Sequence, residues 1–82
     1  MRIALDYDNT YTLDPTLWNG FIEAAQARGH DVRIVTMRYP QEVIDAAPVE
    51  VTYTSRKAKA SVTSADVWID DKPHWIYQDA IQ

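Results

Sequence analysis

Acids stand in two pairs at opposite ends of the sequence: Asp6 and Asp8, with Thr10 two residues further on, and Asp70 next to Asp71. Between them come Thr36 and Arg38, then Arg56, Lys57 and Lys59, and Lys72 follows the second acid pair. Three of these groups directly follow short apolar runs, and the basic group follows an alternating one. If all four runs are strands of one parallel sheet, every such group lies on the same edge. Like charges a few ångströms apart repel by kcal/mol amounts at protein-like dielectric, and a shared cation is the ordinary remedy. Oxygen-only ligands from a few carboxylates, with room left for water and a phosphate, suit Mg2+ better than calcium or zinc. Five of the eight Lys and Arg residues fall on this edge, so the metal site should be rimmed by cations that hold an anionic, phosphate-bearing substrate. Phosphoryl transfer needs an in-line nucleophile, neutralised equatorial oxygens and a proton donor for the leaving group. All three are available here.

The elements that would position these groups are legible as alternating strands and helices. Arg2 to Tyr7 reads as a buried strand stopped by acids and turn residues. Asp14 can cap a helix that starts at Pro15 and buries Trp18, Phe21, Ile22 and Ala25, with Gly29 as its left-handed stop. Val32 to Thr36 is the second strand, and Pro40 opens a helix expected to run to about Ala47, closed by Pro48. Val49, Val51 and Tyr53 alternate with polar residues, the pattern of a peripheral third strand. Ser55 should cap a helix through roughly Ser64, Val67 to Ile69 is the fourth strand, and Pro73 opens a last helix carrying Trp75, Ile76 and Ile81. Such alternation implies right-handed crossovers, a roughly four-stranded parallel sheet and a small Rossmann-like, three-layer αβα sandwich. Its ligands should sit beyond the carboxyl ends of the strands.

Length and composition set the frame. Eighty-two residues make one domain, 1–82, that buries roughly 60–65% of its unfolded surface and has a thin stability margin. The 46% apolar and 24% charged content is that of an ordinary globular protein. Without cysteine there is neither a disulfide framework nor a thiolate metal site, which fits a reducing, cytoplasmic setting. Met1 to Leu5 is too short for a secretory apolar region or a membrane span, so a soluble protein is expected. The net charge of -4 argues against a general nucleic-acid coat. Apolar surface left over by so small a domain makes self-association an expectation.

In order, these segments resemble the signatures of the haloacid dehalogenase superfamily. Ile3-Ala4-Leu5-Asp6-Tyr7-Asp8-Asn9-Thr10 is similar to its first motif, Arg33-Ile34-Val35-Thr36 to its second, Lys57 or Lys59 to its third, and Val67-Trp68-Ile69-Asp70-Asp71 to its fourth. The resemblance implies a phosphohydrolase in which Asp6 is transiently phosphorylated and Asp8 serves as general acid and base. Thr36 would bind a phosphate oxygen, and Thr10, Arg38 and Lys59 are further phosphate-binding candidates. Lys57, nearer its strand end, is preferred over Lys59 as the lysine beside Asp6. Mg2+ would be held by Asp6, Asp8 (through its carbonyl), Asp70 and Asp71. Asn9 departs from the glycine more usual there, but asparagine tolerates a left-handed backbone. The short Asn9–Asp14 connection leaves no room for a cap domain, which would leave the site open to large substrates or to a roofing partner subunit. The stretch Ser64–Pro73 is similar to that of 5′(3′)-deoxyribonucleotidases, and the whole chain to small phage proteins of the same superfamily. Substrates in view are therefore phosphorylated small molecules, nucleotides or nucleic-acid-end phosphates.

Plainer readings compete. In these Thr36 ends a strand simply because threonine favours strands; Lys57 and Lys59 form a solvated helix face; Trp18, Trp68 and Trp75 are expected to pack rather than to bind. A metal-binding interaction module with little turnover is the alternative to an enzyme. A phosphoacceptor receiver domain would use similar residues, but in a different strand order.

Overall fold

The parallel ladder forms around the first strand. In the computed structural model, which describes residues 1–80, β1 (Arg2–Leu5) pairs on one side with β2 (Asp31–Thr36) and on the other with β4 (Val67–Ile69), while β3 (Val51–Tyr53) adds outside β2. The order β3-β2-β1-β4 is parallel throughout. Parallel neighbours need a covering crossover, and α1 (Pro15–Ala27) supplies the first. Asp14 caps it, its side chain accepting from Leu17 N at 3.1 Å, with Pro15 at the first helical position and Gly29 beyond the end at φ 82°. Ile22 and Ala25 pack against Ile3, Leu5 and Val32, with Trp18, Phe21 and Ile69 at the margin of the cluster. The alternate strand residues Ala4 and Val35 are equally buried. Both faces of the central strands are therefore covered, and the architecture is a four-stranded parallel α/β fold.

Three expected elements differ. The helix foreseen over Pro40–Ala47 is a series of turns. Glu42 accepts from Tyr39 N through its carboxylate and donates its own N–H to Tyr39 O, Arg38 donates to Glu42 O, and Ile44 N donates to Tyr53 Oη. These bonds satisfy backbone groups that a helix would have used, and Val43 and Ile44 add two β-branched residues poorly suited to one. Ser55 does not cap a helix: Ser55 and Arg56 are left-handed, at φ 54° and 68°, and α2 (Lys59–Val62) starts later, with Ala58 N held by Asp79 Oδ1 at 2.7 Å. The last helix, α3 (His74–Tyr77), is a single turn that packs on α2; Ile81, expected on it, lies outside the described residues. Among those residues no helix is long and apolar enough to cross a membrane.

Candidate active site

Strand register places the first two acids. Leu5 pairs with Ile69, so the next residues of β1 and β4, Asp6 and Asp70, leave adjacent strands side by side, and Asp6 N donates to Ile69 O at 2.9 Å. Asp71 follows one residue later. Carboxylate oxygens of Asp6, Asp70 and Asp71 all lie within 4.8 Å of one another. Asp6 thus meets the second acid pair in space although they stand over sixty positions apart in the chain. The carboxylate of Asp8 is not part of this cluster.

Lys59 enters the cluster. Its ammonium donates to Asp6 Oδ1 at 2.8 Å and to Asp70 Oδ2 at 2.5 Å, and the residue is 2% exposed. This corrects the preference for Lys57, which is exposed. The left-handed residues Ser55 and Arg56 turn the chain after β3, so the lysine that reaches the strand ends is the first residue of α2 and not the nearer one in sequence. Thr10, expected on phosphate, lies between the acids instead. Its Oγ1 is 3.1 Å from Asp6 Oδ2 and 3.2 Å from Asp71 Oδ1, so one hydroxyl proton serves both. Asn9, at φ 62°, makes the left-handed turn that carries Thr10 back under Asp6.

Electrostatically the cluster is short of positive charge. Three carboxylates face one ammonium, leaving two negative charges, the deficit that one divalent ion makes good. Burial pushes the Asp6 carboxyl up to about 6, with its hydrogen bond to Asp71 adding to the rise and Lys59 opposing it. Asp71 moves down, chiefly because it accepts that same bond. The opposite shifts describe one proton shared by a pair, held to higher pH than either acid would hold it alone. Oxygen donors, close spacing and charge deficit all fit Mg2+.

A cleft of ≈ 100 Å³ lies over these groups, lined by Asp6, Asp8, Thr36, Asp70, Asp71 and, on its walls, Asn9, Met37, Arg56, Lys72 and Trp75. Thr36 is 1% exposed, with Oγ1 accepting from Arg38 N at 3.3 Å. Arg38 clamps Asp8 in a two-pronged pair, Nε to Oδ2 at 3.0 Å and Nη2 to Oδ1 at 2.8 Å, with its guanidinium 5.0 Å from the Tyr7 ring centroid. The pair raises the Arg38 pKa above its ordinary value. Trp75, expected to pack, is half-buried against His74 and stands in the cleft wall, where the one-turn helix after Pro73 returns the chain toward the acids. Its place so soon after Asp70-Asp71 was the signal available for it in the sequence.

Fold and site together define a parallel α/β domain with a buried Asp6–Lys59 pair, flanked by half-buried Asp70 and exposed Asp71, at the carboxyl ends of its central strands. The family model described as protein kinase C delta/epsilon/eta/theta, C2 domain, matches residues 7–75, and on that match the chain belongs to this family. The match overturns the haloacid dehalogenase resemblance drawn from the four ordered segments. Apolar strands ending in acids, threonine or lysine arise wherever a parallel sheet presents its strand ends to an anion, so their order does not establish descent. The matched span begins one residue after Asp6 and leaves out β1. The family's name speaks of neither the sheet topology nor the acid and lysine cluster. No curated protein and no solved structure matches the chain.

Proposed function

We propose that the domain is a magnesium-dependent phosphohydrolase acting on phosphate monoesters through an aspartyl-phosphate at Asp6. The observation that carries this is the buried Lys59 ammonium bridging Asp6 Oδ1 and Asp70 Oδ2 beneath an open cleft. It holds Asp6 in one orientation, and its charge favours an anion beside that carboxylate. Asp6, Asp70 and Asp71 would hold Mg2+, which supplies neutralisation of the phosphoryl oxygens when bound. A carboxylate oxygen of Asp6 attacks phosphorus, and the bond from phosphorus to the leaving oxygen breaks. Asp8, which lines the same cleft, gives that oxygen its proton. A water then attacks the phosphorus of the acyl phosphate, Asp8 takes the water's proton, and the phosphorus bond to Asp6 breaks to release inorganic phosphate. Thr36 offers a hydroxyl to the phosphoryl group, and Thr10 keeps Asp6 and Asp71 aligned.

Asp8 is free for this work only when Arg38 lets go of it, and an incoming phosphate is the anion able to draw the guanidinium away. The same clamp favours a second reading, a metal-binding module without turnover, in which the pair is permanent. Hydrolysis of p-nitrophenyl phosphate with and without Mg2+, by the wild type and Asp6→Asn, separates the two. Magnesium-dependent release abolished in Asp6→Asn supports the enzyme; equal release by both proteins removes it. Stabilisation by beryllium fluoride with Mg2+ but no turnover would point to the module.

A further inference from the structure

The cleft is small. Its ≈ 100 Å³ is well below the roughly 300–1,000 Å³ of pockets that enclose a whole small molecule. It suits a phosphoryl group and a cation, so whatever carries that phosphate must lie across the rim.

That rim repeats one device three times: a cation set over an aromatic ring. Arg38 stands 5.0 Å from the Tyr7 ring centroid, Arg56 5.2 Å from that of Tyr39, and Lys72 5.9 Å from that of Trp75. Arg56, Lys72 and Trp75 themselves line the cleft, and Arg38 joins it through Asp8. Tyr39 is 41% exposed beside Arg56, and Trp75 is half-buried in the cleft wall, so neither residue is sealed from a ligand. The phosphoryl group inside is matched by Lys59 and the divalent site, and two of the cations at the mouth, Arg38 on Asp8 and Arg56 on Glu42, are held by exposed acids that a ligand continuing as an anion can replace. Arg56 is meanwhile held by Glu42 at 3.1 Å, in a pair exposed enough to exchange with a phosphate. Flat rings alternating with cations are what single-stranded nucleic acid requires, bases stacking on the rings while the backbone follows the charges.

We infer that the rim binds the end of a single-stranded nucleic acid, with the terminal phosphate in the cleft and the adjoining bases on Trp75 and Tyr39. This deepens the phosphohydrolase reading and rests on it. The net charge of -4 fits recognition of an end rather than coating of a strand.

The test compares phosphate release from hexathymidylate phosphorylated at its 5′ or 3′ end, from thymidine 5′-monophosphate and from glycerol 3-phosphate. The expected order of kcat/KM is oligonucleotide, then nucleotide, then glycerol phosphate, with the oligonucleotide advantage shrinking as salt rises. Trp75→Leu should lower the ratio of oligonucleotide to glycerol phosphate about tenfold, the scale of one lost base stack, and Trp75→Phe should restore most of it. Melting temperatures of both variants show that they are folded. Equal kcat/KM for nucleotide and oligonucleotide would overturn the inference while leaving the phosphohydrolase reading intact, as would an unchanged ratio in a folded Trp75→Leu. If nothing is hydrolysed, fluorescence anisotropy of the labelled oligonucleotide decides. Binding that needs the terminal phosphate and weakens in Trp75→Leu upholds the inference, and binding that is absent or indifferent to the phosphate overturns it.

Discussion

Removing the ammonium of Lys59 should cost far more than removing that of Lys57, although the two stand two residues apart. Lys59 is 2% exposed and donates to two acids, Asp6 and Asp70. Deleting one partner of a buried ion pair typically costs about 3–5 kcal/mol, because the surviving charge is stranded. Here each acid keeps one bond, Asp6 Oδ2 from Thr10 and Asp70 Oδ1 from Lys72 N at 2.9 Å, which places the cost near the lower end, about 3 kcal/mol. A domain of this size has roughly 4–12 kcal/mol in all, and each kcal/mol moves its melting temperature by about 4–8 °C. Lys59→Met, which keeps most of the volume, should therefore lower the melting temperature in EDTA by at least about 12 °C. Lys57→Ala, at an exposed position, should stay within about 0.5 kcal/mol of wild type. Added Mg2+ should recover part of the Lys59→Met loss, since a bound cation takes over neutralisation of the same carboxylates. The assay is thermal unfolding followed by circular dichroism for the three proteins, with EDTA and with Mg2+. Equal shifts for the two lysine variants, or a Lys59→Met shift under about 4 °C, would refute the reasoning.

Acidity supplies a second prediction. Asp6 titrates at about 6 in the folded protein against an ordinary 3.8, so between those values the native state holds a proton that the unfolded chain has lost. Metal-free stability should fall as pH rises from about 4 to about 6, by about 1–2 kcal/mol once solvent screening is allowed for, while the lowered Asp71 acts only below that window. Mg2+ requires the ionised acid, so its apparent affinity should climb through the same window, and calorimetric titration at pH 5 and 7 checks the sign. Asp14→Ala removes the cap bond to Leu17 N and should cost about 1 kcal/mol in urea unfolding. Gly29→Ala meets no atom within 4 Å but must hold φ 82°, so a loss of about 1–2 kcal/mol is expected from backbone strain alone; a neutral result would show that the turn relaxes.

The strand ends were legible because period, Pro and Gly punctuation and acid placement agreed there: β1, β2 and β4 fall where the apolar runs lie, and the Asp14-Pro15 start of α1 is a local signal that tertiary context leaves intact. Legibility failed where side chains compete for the backbone. Tyr53 captures the Ile44 N–H and Arg38 the Glu42 carbonyl between Pro40 and Ala47, and the first of these depends on β3 already lying alongside. The choice between Lys57 and Lys59 turned on two left-handed residues, neither of them glycine, that nothing local announces. The place of Trp75 in the cleft wall was not legible, because an aromatic residue's surroundings are set by the tertiary fold.

Because β1 lies between β2 and β4, one of the two inner strands of the sheet receives a neighbour only from a segment over sixty positions further along the chain. On the ribosome, a nascent chain that has reached Val62 would hold Asp6, Thr10 and Lys59 but not the flank of β1 that Val67–Ile69 will fill. Long-range parallel pairing of this kind is slow to form and leaves an open edge while it waits. Pairing of Val67–Ile69 with β1 should thus be the event that closes this edge and, on the proposed reading, carries Asp70 and Asp71 to Asp6, so that completion of the sheet and onset of Mg2+ affinity fall in one step.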